Sequence, residues 1–195
     1  MSAMRRVCLL LLLALCGCVS QIPGTATPDG GAAEQASYTS DGDIPGVTTL
    51  DSPRTDHTEE AVDYTESPPF GGQHDPVWAD CTGTVYDEPI RSENAVHSLE
   101  HGAVWVTYSP ELAVEDVEVL EMLVTGVDYT MMSPYPDLDA AVSVQSWGRQ
   151  LEVDSVDDPR IEAFLRIYAQ NVETTPEIGA TCSNPDFASS PRRPD

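Results

Sequence analysis

The stretch Glu93 to Tyr108 reads E-N-A-V-H-S-L-E-H-G-A-V-W-V-T-Y and sets His97 and His101 four positions apart, with Glu100 between them. Residues at i and i+4 of a helix share a face, so both imidazoles can reach one point. The chain has two more histidines, His57 and His74, and all four fall within 45 positions. Imidazole suits copper, zinc and nickel. Two rings from a helix and one or two from loops would make a site that joins rigid and mobile parts. Glu100 would orient a histidine or bind weakly. Met131 and Met132 offer thioethers suited to copper(I), although a Tyr-Thr-Met-Met strand also reads as core packing.

Three readings compete. In the first, His97, His101, His74 and His57 hold copper or zinc. In the second there is no metal: His101 bonds free carbonyls at its helix end, His97 bonds Glu93 or a backbone group, and His74 pins its loop. The domain is then an interaction module for an envelope protein. In the third, His97-Ser98-Leu99-Glu100-His101 fits H-x-x-E-H, the inverted zincin pattern of zinc hydrolases. Two histidines would hold zinc, Glu100 would act as general base, and a third ligand would come from a distant helix. Gly102, however, stops this helix at the second histidine. Converging imidazoles favour the first reading and rings turned to the backbone the second. A distant glutamate reaching His97 and His101 beside an open cleft favours the third. No nucleophile elbow, P-loop or dinucleotide fingerprint is present.

The elements that position these residues follow from pattern. Glu93–His101 reads as a helix with Ser92 as N-cap, and Ala103–Tyr108 as a buried strand. Val114–Thr125 is amphipathic and is stopped by Gly126. Tyr129–Met132 and Ala141–Trp147 read as strands, and Gln150–Val153 extends the sheet. Asp158 caps a last helix to about Asn171, with Pro159 at its first position. Upstream, Ala61–Tyr64 suits a short strand. Residues 65–89, including Cys81–Pro89, read as loop lying across the core. The expected class is α+β, a small mixed sheet with helices packed on it.

Residues 1–17 have the layout of a secretory signal, with Arg5 and Arg6 before an apolar run too short to span a bilayer. The run ends in Leu15-Cys16-Gly17-Cys18, which resembles the bacterial lipobox and implies lipidation of Cys18. The protein would then sit on the outer face of the cell membrane through its acyl chains. Residues 18–54, rich in Gly, Pro, Thr, Ser and Asp, read as a flexible tether. Residues 55–184 form one domain and 185–195 a loose tail. Past the signal, seven basic residues face 33 acidic ones, and there is no lysine. That charge excludes nucleic acid as a partner and attracts cations. Once Cys8, Cys16 and Cys18 are assigned to the signal and the lipid site, Cys81 and Cys182 remain for one disulfide in an oxidising compartment.

The runs Pro68-Pro69 to His74-Asp75-Pro76-Val77-Trp78 and Val96-His97-Ser98-Leu99-Glu100-His101-Gly102 resemble a bacterial family known as domain of unknown function 3105. Ser133-Pro134-Tyr135-Pro136, Ser146-Trp147-Gly148, Asp157-Asp158-Pro159-Arg160 and Thr175-Pro176-Glu177 extend the resemblance over most of Asp56 to Cys182. Cys81 and Cys182 fall where some members carry cysteines, and Thr82 is a small insertion relative to the usual pattern. The resemblance implies a secreted or membrane-anchored protein and supplies no activity.

Overall fold

A computed structural model describes residues 44–194; residues 1–43, on which the readings of a secretory signal, a lipidated Cys18 and most of the tether fall, and Asp195 lie outside the described residues. Six strands form one mixed sheet: β1 (Thr48–Thr49), β2 (Thr82–Val85), β3 (Val104–Tyr108), β4 (Thr130–Pro134), β5 (Val142–Ser146) and β6 (Arg149–Val153). Their spatial order is β1-β6-β5-β3-β4-β2. The helices are α1 (Ser92–Glu100), α2 (Val114–Val124), α3 (Pro159–Tyr168) and α4 (Pro185–Ser189). This is the α+β class expected from the sequence.

The sheet grows from β3. Helix α2 carries the chain from β3 to β4, which pairs parallel with it, and β5 pairs antiparallel on the other side. The turn Trp147-Gly148 then folds β6 back onto β5, with Gly148 at φ +70° as a tight hairpin requires. Side chains alternate across a strand, so β3 and β4 feed two cores. Val104, Val106 and Met132 meet α2 and α3 on one face. Trp105 and Met131 meet α1 and the long loop on the other. Val114, Val117, Leu120 and Val124 recur at spacings of three and four along α2. Of these Leu120 and Val124 are buried, while Val114 is 70% exposed.

Helix α1 stands almost wholly inside the protein. Every residue from Glu93 to Glu100 is buried, polar ones included. The long loop 50–81 covers it and holds its side chains: Asn94 Nδ2 donates to Val77 O at 2.5 Å and Ser98 Oγ donates to Ala79 O at 2.7 Å. A loop that supplies backbone partners to a buried polar helix replaces the water the helix has lost. The disulfide Cys81–Cys182 is formed and ties this loop to the C-terminal segment.

Several expectations need correction. Thr82–Val85 is a strand rather than irregular chain, because Gly83 at φ +79° lets the backbone approach Gly126 where a Cβ would lie 2.3 Å from its nitrogen. Ala61–Tyr64 is not a strand. Helix α1 is capped at Arg91, not Ser92, and no side chain makes the cap bond. Helix α3 starts as expected, with Asp158 accepting from Arg160 N, but it ends at Tyr168. Residues 44–54, placed in the tether, include buried Ile44 and strand β1 paired on β6. The tail is not loose throughout: α4 is capped by Asn184, Phe187 is buried, and Arg192 reaches Asp75 at 2.8 Å.

Candidate metal centre

Three local structures bring the histidines together. Helix α1 places the His97 and His101 rings one turn apart, 4.6 Å between centroids. The loop brings His74 beside them through backbone bonds from His74 N to Asp56 O (3.2 Å) and from Thr58 N to His74 O (2.7 Å). That pairing carries His57 along. The His57 ring lies 4.8 Å from His74 and 4.9 Å from His97, and His74 lies 4.9 Å from His97. All four predicted histidines are therefore in one cluster.

Each of the three buried rings is fixed by the same nitrogen. His74 Nδ1 donates to Gly72 O at 2.8 Å, His97 Nδ1 to Asp75 O at 2.6 Å and His101 Nδ1 to Thr181 O at 2.9 Å. A carbonyl only accepts, so each Nδ1 carries a proton and, in the neutral ring, each Nε2 presents a lone pair. Backbone bonding, the mark of the metal-free reading, is thus present, but it leaves the Nε2 atoms without a backbone partner. Metal-binding histidines are held the same way.

Three of the four Nε2 atoms lie near acids. His74 Nε2 lies 2.9 Å and His57 Nε2 3.8 Å from Glu100 Oε2, while His101 Nε2 lies 3.5 Å from Glu177 Oε2. Neither His74 Nε2 nor Glu100 Oε2 has a hydrogen-bond partner, although both are buried. Two acceptors that close repel unless a proton or a cation lies between them. Two sets of donor atoms result. The inner set is His57, His74, His97 and Glu100, and the outer set is His97, His101 and Glu177, each within a span of 4.8 Å.

Protonation follows position. Burial pushes His97 down to about 4, and burial likewise lowers His101, so both rings are neutral near pH 7. Burial also works against charging His74, but Glu100 and the Gly72 carbonyl outweigh it and raise that ring above the usual 6.5. Trp78 and Trp147 wall the cluster, with Trp78 5.1 Å from His101 and Trp147 5.7 Å from His74. Trp78 Nε1 is buried without a partner.

Two contributors were not singled out from sequence. Asp75 sits beside His74; its carbonyl holds His97, and its carboxylate accepts from Arg91 Nη1 (2.6 Å), Arg192 Nη1 (2.8 Å) and Val77 N (2.8 Å). Glu177 arrives from a loop docked on the end of α1 by Glu177 N donating to Glu100 O at 3.1 Å. Thr175-Pro176-Glu177 was visible as a short motif, but nothing in its spacing tied it to the histidines. The methionines stay out of the set. Met132 faces the α2 and α3 core, and Met131 packs with Trp105 on the other face.

No curated protein and no solved structure matches the chain. A family model does, under the description Protein of unknown function (DUF3105), over residues 56–184. That match takes in Asp75, all four histidines, Glu100 and Glu177, and with two thirds of its length covered the chain belongs to the DUF3105 family.

Proposed function

We propose that this protein binds a transition-metal ion, copper or zinc, through His97, His101, His74 and His57 with Glu100. It would do so outside the cytoplasm, held to the outer face of the cell membrane by a lipid on Cys18. The N-terminal signal pattern supports the address, and the histidine cluster supports the metal. One observation carries the reading: His74 Nε2 and Glu100 Oε2, both buried, face each other at 2.9 Å with no hydrogen-bond partner. While the His74 ring is neutral, a cation held by both atoms turns a repulsion into two bonds.

The donor set fits the metals. Neutral imidazole and carboxylate suit zinc and copper(II), and the paired cysteines contribute no thiolate. Tetrahedral ligands about 2.1 Å from zinc stand about 3.4 Å apart, so donor atoms lying within 4.8 Å of one another close by up to roughly 1.4 Å around the ion. His57, its side chain 45% exposed, and Glu177, 52% exposed, are the groups able to make that movement.

The hydrolase reading gains one observation: Glu177 is a distant carboxylate at His101. It loses another, because Glu100, the base in that scheme, is buried and turned toward His74 rather than toward solvent. Calorimetric titration of copper and zinc into the full-length protein and into a His97→Ala, His101→Ala double variant tests the proposal. Tight binding lost in the variant is the expected result. Binding no tighter than that of scattered surface carboxylates overturns it and leaves the metal-free interaction module.

A further inference from the structure

The inner and outer sets share a single residue, His97. Its Nδ1 proton is engaged by the Asp75 carbonyl at 2.6 Å, so only Nε2 is free. One lone pair serves one ion at a time. The two sets are therefore not a dinuclear centre while that hydrogen bond stands. They differ in donor number, four in the inner set and three in the outer. Each has one exposed member, His57 with its side chain 45% exposed in the inner set and Glu177 at 52% in the outer.

Building on the proposed metal site, we propose that the two sets are alternating positions for one ion, which passes between them by exchanging ligands around His97. The ion is taken up or released at Glu177 and His101. It is retained at His74 and Glu100, with His57 closing the far side. His97 stays bound throughout, so the ion is never stripped to bare solvent on its way in or out. Such stepwise exchange suits transfer to and from another ligand-bearing molecule, since a competing ligand can enter at the exposed carboxylate before the inner bonds break. The chain thus fits the role of a carrier that hands its metal on, not one that buries it permanently.

The kinetics of Glu177→Gln test this on the full-length protein. Zinc is loaded, the bound ion is counted by mass spectrometry under native conditions, and its removal by excess EDTA is followed in time. A carboxylate that merely adds a bond would make the ion leave faster when replaced. A carboxylate on the exit path makes it leave more slowly, and a slowing of about tenfold is expected, with one ion per chain. His74→Ala should reverse the sign and speed removal, because the retaining position is lost. Two ions per chain, or faster removal from Glu177→Gln, would overturn the stepwise transfer and leave the metal site standing. Failure of the unaltered protein to bind zinc or copper would remove both.

Discussion

His74 Nε2 stands 2.9 Å from Glu100 Oε2 in the interior of the protein, and while the ring is neutral, with its proton on Nδ1, neither atom has a hydrogen to offer the other. An amide in place of the carboxylate would supply one. Glu100→Gln can donate from its Nε2 to the bare His74 nitrogen, so the metal-free protein should be as stable as the parent, or more so, at alkaline pH where the ring is neutral. The same change removes a charged ligand, and metal affinity should fall about tenfold or more. Thermal melts without metal and a zinc titration, run side by side, check the pair of outcomes. A variant both less stable and unaltered in affinity would show that Glu100 is there to hold the fold.

Gly102 bounds the site from the other end of α1. It has φ +96°, and a Cβ there would lie 2.4 Å from Gln170 Nε2 and 3.0 Å from Thr175 Cγ2. Gln170 is not free to swing away without loss, since its Nε2 donates to His101 O at 2.6 Å. Gly102→Ala should therefore cost about 2 kcal/mol or more, combining left-handed backbone strain with a displaced bond. Denaturant unfolding measures the loss. A fall in metal affinity should accompany it, because the displaced side chain anchors the residue that carries the His101 ring.

These two residues show what a sequence can and cannot disclose about the site. The helix stop at Gly102 and the shared face of His97 and His101 are local, set by three or four consecutive residues, and both were legible. The convergence of His74 and His57 was legible only as a cluster of rare residue types. The bonds that produce it run from backbone to backbone across the loop, and backbone carries no sequence signal. Glu177 was hidden for a different reason. It lies 76 positions beyond His101, and a disulfide and a docked loop bring it in. Strand β2 was missed because Thr82–Val85 is short, contains glycine and pairs only with β4. The buried tail residue Phe187 followed the same logic, a single apolar residue in a stretch of polar ones.

The disulfide bears on the outer half of the site through its neighbour. Thr181, adjacent to Cys182, supplies the carbonyl that fixes His101 Nδ1 at 2.9 Å, and Cys81 N donates to Cys182 O at 3.0 Å. Replacing both cysteines by serine should destabilise the protein by about 2–5 kcal/mol. It should also free the His101 ring while leaving His74 and His97 held by Gly72 and Asp75. Denaturant midpoints give the first effect. The second is visible in histidine proton resonances, where the signal of His101 alone should lose its slow exchange.

Asp80 secures the same junction by charge. Its Oδ1 accepts from the Thr82 amide (3.1 Å), the Thr82 hydroxyl (2.7 Å) and the Thr84 hydroxyl, and its Oδ2 accepts from Asn184 N at 2.6 Å. Burial alone would raise this carboxyl, but the hydroxyls of Thr84 and Thr82 and the two amides outweigh it and hold it below the ordinary 3.8. A depressed carboxyl stabilises the fold above its unfolded value and loses that contribution as pH falls through its folded value. In Asp80→Asn the new NH2 would face either the Asn184 amide or the threonine donors, two donors with nothing between them. The variant should be less stable by about 1.5–3 kcal/mol at pH 7, the range for hydrogen bonds to a charged group. Because the variant has no proton to gain there, the gap should narrow as pH is taken below 3.8 and on through the depressed value. Urea unfolding of both proteins at neutral and acid pH decides it. A gap that stays constant would mean that the uncharged geometry, and not the carboxylate, holds Asn184 and with it the cap of α4.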